Sequence, residues 1–317
     1  MIYYNDIKEM IGNTPMLKLN NFDIKDGVSI FAKLENFNPG GSVKDRIGAY
    51  MIESAEKRGI LKKGYTVIEA TAGNTGLGIA LGALNKGYRV IFVVPMKFSV
   101  EKQTLMKALG AEIVNTPEDK GMIGAIEKSQ ELLESIPNSI SLKQFENADN
   151  PQAHYLTTGP EIYLDMEGRI NYLVAGAGSG STFTGVARYL KEKIKDIKSV
   201  LVDPEGSTLG GGEEGHYAVE GIGNNFVPCT MDMDLVDKVI KINDEEAFDM
   251  VKKLAKKEGL IVGSSSGAAM AGAIKLSKTI EQGNIVVIFP DRGDRYFSKN
   301  IYLSLIHISE PTRRSYI

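Results

Sequence analysis

Along most of the chain, short runs of β-branched and other apolar residues alternate with stretches whose apolar positions recur every three or four residues. Thr66–Ala70 (TVIEA) leads through a Gly/Asn turn into a helical pattern over 77–85. The run 90–95 (VIFVVP) is followed by helical spacing over 100–109, and 112–114 by helical spacing over 123–136. A second series starts at 171–175 (NYLVA) and passes through a Gly/Ser turn into a helix over 182–194. It continues with apolar runs at 200–203 and 285–290 (IVVIFP). Strands apolar on both faces and separated by helices predict mostly parallel sheets covered on both sides. The expectation is an α/β protein of two domains, one near 65–145 and one near 170–290. No low-complexity linker divides them, so a shared cleft is expected. Residues 304–317 (SLIHISEPTRRSYI) break the pattern and are expected to be a non-native or disordered tail. Residues 1–10 (MIYYNDIKEM) lack the features of a signal peptide, and no apolar run reaches membrane-spanning length. A cytoplasmic protein without membrane contact is expected.

Composition narrows the chemistry. The 317 residues carry 37 basic and 40 acidic side chains, which leaves no cationic excess for counterion-driven nucleic-acid binding. A single cysteine, Cys229, excludes an internal disulfide or a Cys-rich zinc site. The histidines (His154, His216, His307) are too far apart for a local metal motif, so no metal is expected. The scattered methionines, and Cys229 beside Pro228, read as core packing. Acid, base and nucleophile must come from elsewhere, and the glycine-bearing turns are the place to look.

Four segments stand out. Residues 38–46 (NPGGSVKDR) place Lys44 after a tight turn, with a helix predicted to start at 45–46. A helix N-terminus disfavours an ammonium group and so favours the neutral amine that Schiff-base chemistry needs. The plain alternative is a surface lysine; a Walker loop fails because GxxxxGK[ST] is absent. Residues 71–76 (TAGNTG) follow a strand and suit either a carboxylate or phosphate site or an ordinary βα turn. Residues 176–185 (GAGSGSTFTG) offer a nest of N–H groups and hydroxyls, with a flexible capped turn as the alternative. This segment is not the dinucleotide fingerprint: GxGxxG from Gly176 meets Ser181, and from Gly178 meets Phe183. Residues 263–269 (GSSSGAA) open a helix after 260–262, and their serines either cap it or offer one hydroxyl to a ring nitrogen.

Taken together in this order, the four segments resemble the cysteine synthase/cystathionine β-synthase family of pyridoxal-phosphate enzymes. That family has the tryptophan synthase β-like fold type II: two domains, each a twisted, mostly parallel sheet flanked by helices. The resemblance runs from 11–15 (IGNTP) to 302 and includes 144–151 (QFENADNP) and 221–228 (GIGNNFVP). It implies a smaller domain over 46–148, a larger one from 1–45 plus 149–303, pyridoxal 5'-phosphate as cofactor, and a homodimer. Lys44 is implied to form the Schiff base and to serve as the catalytic base. Asn74 would bond the ring hydroxyl, Gly178, Ser179, Gly180, Ser181 and Thr182 would cradle the phosphate, and Ser265 would face the pyridine nitrogen. Thr71, Ala72, Gly73, Thr75 and Gln144 would bind the substrate carboxylate, with Gly221, Ile222 and Gly223 over the substrate.

The reaction so implied is β-replacement. O-Acetyl-L-serine, or a related β-substituted alanine, gives an α-aminoacrylate that a thiol attacks. Many sulfide-using members carry serine where this chain has Ala72, and GIGAGF where it has GIGNNF. TAGNT and FPD at 289–291 are closer to the bacterial branch that joins O-acetylserine to homocysteine. Asn224 and Asn225 would add polar reach at the acceptor side, and Asp232 and Asp234 either approach the cleft or form a solvated face. Homocysteine giving cystathionine is therefore the expected acceptor. The alternatives are sulfide giving L-cysteine, cysteine lysis releasing hydrogen sulfide, a serine/threonine dehydratase, and a non-catalytic binding protein of the same fold.

Overall fold

A computed structural model of the chain describes residues 1, 3–71, 73–96, 99–299 and 301–302. The expectations for Ala72 and for the tail at 304–317 lie outside these residues. The strands are β1 (Met16–Lys18), β2 (Val28–Leu34), β3 (Thr66–Ala70), β4 (Arg89–Pro95), β5 (Glu112–Thr116), β6 (Ser139–Ile140), β7 (Tyr172–Gly176), β8 (Lys198–Pro204), β9 (Lys238–Ile242) and β10 (Gly283–Phe289). They form two sheets. One has the order β5-β4-β3-β6 and is parallel throughout; the other has the order β1-β2-β10-β7-β8-β9 and is parallel apart from the β1–β2 pair.

The four-stranded sheet is sandwiched as its apolar runs require. On one face, Val67, Val90 and Phe92 pack with Ile47 and Met51 of α1 (Lys44–Lys57), Leu77 and Ile79 of α2 (Asn74–Ala83), and Met106 of α3 (Val100–Ala108). On the other, Ile68, Ile91 and Val93 meet Ala125 of α4 (Gly121–Ser135). The helices α5 (Asp149–Leu156) and α6 (Thr158–Asp165) lead on to the six-stranded sheet. There Val286 and Ile288 of β10 face α7 (Ser181–Lys193), while Ile285, Val287 and Phe289 face the opposite way. That second face packs on α8 (Asp244–Glu258) and α9 (Ser264–Ser277). The alternation along β10 is the period of two that a strand buried on both faces must show.

Two expectations change. The larger sheet also takes β1 and β2 from the N-terminal region, and β10 enters between β2 and β7. Just before α9, Val262 makes an isolated bridge to Arg292. Cys229 is exposed rather than packed in the core, and Met10 and Met96 are exposed as well. No helix among the described residues is long and apolar enough to cross a membrane.

The contact between α1 and α2 is unusually close, and it fixes the start of α1. A Cβ on Gly48 would lie 2.1 Å from the carbonyl carbon of Gly78, and one on Gly78 would lie 2.1 Å from the carbonyl oxygen of Lys44. Backbone meets backbone at this crossing, so glycine is required on both sides.

Candidate active site

Lys44 is the first residue of α1, one position earlier than the sequence pattern placed the helix start. The turn before it is closed by Gly41 N–H donating to Asn38 O (2.7 Å), with Gly41 at φ +82°. It is stitched to the end of β10 by Val43 N–H donating to Pro290 O at 2.8 Å. Asp45 Oδ2 accepts from Gly40 N–H at 2.6 Å, and burial pushes its carboxyl up to about 7. Part of Lys44 opens on the cleft, yet burial brings its ammonium down from 10.5 to about 8, against the pull of Asp291. Desolvation, rather than the helix dipole considered above, is the main physical cause.

Across the cleft, β7 ends in the turn 176–180. At its three glycines this turn has no room for a side chain. A Cβ on Gly176 would meet Ile222 at 2.5 Å, one on Gly178 would meet Gly221 O at 2.5 Å, and one on Gly180 would meet Met231 at 2.4 Å. Gly180 (φ +79°) is the N-cap of α7, so no side chain satisfies the first N–H groups of that helix. Uncapped N–H groups and the positive end of the helix dipole therefore face the cavity that Gly178, Ser179, Gly180 and Thr182 help to line. The hydroxyls of Ser179 and Ser181 pair at 2.9 Å. Thr182 Oγ1 contacts His154 Nε2 at 3.1 Å, and His154 Nδ1 contacts Thr158 Oγ1 at 2.8 Å. Burial, with the charges of Lys44 and Arg46, holds His154 well below its usual range and hence neutral.

The same cavity is lined by Lys44, Asn74, Gly221, Ile222, Ser265 and Asp291. Four segments separated by up to 221 positions thus converge. Gly263 is the N-cap of α9 and makes no side-chain cap, so the three serines do not serve as caps. Ser264 Oγ accepts from Glu220 N–H (3.0 Å), Ser266 Oγ is buried without a partner, and Ser265 borders the cavity.

Of the residues expected at the substrate carboxylate, Thr71, Gly73, Thr75 and Gln144 are not part of the cavity lining, although Thr75 follows Asn74, which is. Thr75 Oγ1 donates to Gln144 Oε1 at 2.6 Å, which brings those two together. Thr71 is buried, and its Oγ1 accepts from Gly73 N–H at 3.5 Å. Gly223 N–H is tied to Ala177 O at 2.8 Å. Neither asparagine of GIGNNF reaches towards an acceptor. Asn224 donates its amide to Gly178 O, bracing the turn 176–180, and Asn225 donates to Glu214 Oε1 at 3.1 Å. Asp232 accepts from Arg188 at 3.3 Å and from Asp234 N–H at 3.2 Å, so these acids belong to a surface turn.

Several site neighbours escape a reading of the sequence. Asp291 stands out there only as part of FPD. Tyr296 donates its hydroxyl to Asp291 Oδ2, Arg295 contacts Asn74, and Lys102 lies 4.4 Å from the Tyr296 ring and 3.2 Å from Glu220 Oε2. The signal available is a dense polar segment, 291–299 (DRGDRYFSK), following a fully buried strand.

Two twisted α/β layers with a lysine at the cleft between them, opposite an uncapped helix N-terminus, define a class of cofactor-dependent enzyme. The chain belongs to the family described as pyridoxal-phosphate dependent enzyme, whose model matches residues 7–291. It is similar to the O-acetylserine dependent cystathionine beta-synthase of Bacillus subtilis (strain 168), with 51% identity over 303 residues, 95% of this chain and 99% of that one. It is similar to a cysteine synthase of Helicobacter pylori at 50% identity, covering 96% of this chain and 100% of that one. A crystal structure of O-acetylserine dependent cystathionine beta-synthase from Helicobacter pylori superposes with a TM-score of 0.91 at 50% identity, again over 96% and 100%. Pyridoxal phosphate is the cofactor of this enzyme class, and the glycine-bearing turn before α7, with its uncapped N–H groups, fits its phosphate.

Proposed function

We propose that the enzyme performs β-replacement on O-acetyl-L-serine with homocysteine as the acceptor, giving cystathionine. The observation that carries this reading is the convergence of Lys44, Asn74, Ser265 and the turn before α7 on one cavity. The name of the Bacillus subtilis relative supports the choice of donor and product. When bound, pyridoxal phosphate supplies the electron sink that loosens the Cα proton and the β-substituent of an amino acid. In this reading Lys44 Nζ would hold the cofactor and would take the proton from the substrate Cα.

The N–H groups at the start of α7, with Gly178, Ser179, Gly180, Ser181 and Thr182, hold the phosphate. Asn74 Nδ2–H donates to the ring oxygen. The Ser265 hydroxyl, which borders the cavity, would face the ring nitrogen, and a neutral partner there would suit elimination over transamination. Thr71, Gly73 and Thr75 receive the α-carboxylate with Gln144, whose amide nitrogen is left as donor by the Thr75 bond. Gly221, Ile222 and Gly223 close the substrate side and exclude water. The proposed division into 46–148 and 1–45 plus 149–303 is supported by the four-stranded sheet lying wholly within 66–140. A cytoplasmic location is part of the same proposal.

The acceptor is tested by treating the loaded enzyme with O-acetylserine, then adding homocysteine or sulfide and identifying products by mass. Cystathionine should form faster than cysteine. Discharge by sulfide far ahead of homocysteine would replace this reading with a cysteine synthase.

A homodimer is also proposed. A groove of about 880 Å³ beside the Lys44 turn is walled by Leu77, Leu81, Leu84, Leu105 and Phe297. Its edge carries Glu101, Asp294 and Arg292, both signs together, as a self-complementary face requires. Leu105→Glu should sediment as a monomer where the parent sediments as a dimer; an unchanged dimer would place the interface elsewhere.

A further inference from the structure

The amide of Asn74 is held at both ends. Its Nδ2 donates to Asp291 Oδ2 at 2.6 Å, and its Oδ1 accepts from Arg295 Nη1 at 2.5 Å. The two ends of an amide have nearly the same shape, so hydrogen bonds rather than packing decide which way it points. Here a carboxylate stands on one side and a guanidinium on the other. A flipped amide would set acceptor against acceptor and donor against donor, so one orientation is allowed. One Nδ2–H is then taken by Asp291, and the other is left for a ligand in the cavity.

Asp291 is itself firmly placed. Its backbone oxygen accepts from Gly263 N–H (3.2 Å), and a Cβ on Gly263 would come within 2.2 Å of Oδ1. Tyr296 donates to Oδ2, while Oδ1 is buried without a hydrogen-bond partner. Arg295 and Lys102 supply positive charge around it, with Glu220 behind Lys102 and Tyr296. On the Lys44 side the titratable neighbours include His154, which is neutral, and Asp45, whose carboxyl is turned onto Gly40 N–H.

We infer that Asp291 is a positioning residue: with Arg295 it locks the Asn74 amide so that its amide nitrogen faces the cavity, and its carboxylate, bordering the same cavity as Lys44, is the counter-charge to that amine. The inference rests on the proposed pyridoxal-phosphate site. Burial pushes the Asp291 carboxyl up, and Tyr296, Lys102, Asn74 and Arg295 pull it back. Asp291 in turn opposes the desolvation that lowers Lys44.

The test uses wild type, Asp291→Asn, Asp291→Ser and Arg295→Met. In cofactor-free protein, labelling of Lys44 by an amine-reactive reagent is followed against pH by peptide mass mapping. Loss of the counter-charge should lower the labelling midpoint by about one pH unit in both Asp291 variants. A loosened fold alone would expose Lys44 to water and move the midpoint upward. Cofactor retention, read by absorbance after dialysis, should fall by about tenfold in all three variants, because the Asn74 amide is no longer fixed. A midpoint that stays or rises in the Asp291 variants overturns the inference. Should neither fold, wild-type retention in Arg295→Met overturns it, and a tenfold loss there supports it. Wild-type protein that captures no pyridoxal phosphate would instead sink the underlying reading.

Discussion

Replacing Lys44 with alanine should reduce turnover by ~10³-fold or more and leave any retained cofactor with the absorbance of the free aldehyde. One side chain carries two duties in the proposed mechanism, holding the cofactor and moving the Cα proton, and no neighbour can substitute. His154 is neutral but sits behind Thr182, bonded to it and to Thr158. Asp45 is turned onto Gly40 N–H. The variant should keep the wild-type fold, since the amine makes no hydrogen bond that α1 depends on and α1 is anchored through its backbone and Arg46. Turnover within about tenfold of wild type, at unchanged circular dichroism, would remove Lys44 from the chemistry. The pH dependence of cofactor capture sharpens the point. Only the neutral amine attacks a carbonyl, so the capture rate should rise through pH about 8 and then level. An unperturbed lysine would keep gaining until beyond pH 10, about two units later.

The βαβ rhythm is legible where a strand is buried on both faces, as β4 and β10 are, and a helix on one, as α8 is. The runs at 90–95 and 285–290 therefore appear in the sequence as continuous apolar stretches, and β4 and β10 stand there. β1 and β2 are not legible, because nothing local marks β2 as the neighbour of a strand more than 240 residues later. The same limit governs the site. The segments around Lys44, Asn74, the α7 turn and Ser265 are visible as segments, since each needs its own tight turn. What surrounds them is not: Asp291 bonds Asn74 across 217 positions, and Asn224 braces Gly178 across 46. Asn224 also shows how an exposed-looking polar residue misleads, because its partner is a backbone carbonyl that leaves no trace in composition. The stretch 11–15 (IGNTP), recognisable only by resemblance, gains a physical reason. Thr14 donates to Glu35 (2.6 Å), and Gly12 N–H donates to Asn38 Oδ1 (2.9 Å), directly beside the Lys44 turn.

That cluster gives the largest expected loss of stability. Arg46, two residues after Lys44, grips Glu35 through Nε and Nη2, both at 2.7 Å, and Glu161 through Nη1 and Nη2, at 2.6 and 2.7 Å. Lys33 joins from β2, 3.1 Å from Glu161 and 2.9 Å from Asp165. The Glu35 side chain has no exposed surface, so its charge survives only because Arg46, Thr14 and Asn38 answer it. Burial alone would raise its carboxyl, but those partners hold it below the usual value. Arg46→Met keeps most of the volume and removes the charge. It should cost about 3–5 kcal/mol at pH 7, read from urea unfolding, because a buried carboxylate is left unpaired. The sign of the pH dependence follows. In wild type the paired Glu35 adds stability above its unfolded pKa, which is lost as pH falls through the lower folded value. In Arg46→Met the folded value lies above the unfolded one, so the deficit should shrink as the pH is lowered from 7 towards 5 and the carboxyl takes up a proton. Adding Glu35→Leu should recover much of the loss at pH 7, since an apolar pair avoids the desolvation cost altogether. A deficit under about 1 kcal/mol, or one that grows on acidification, would mean that the cluster does not hold the Lys44 helix in place.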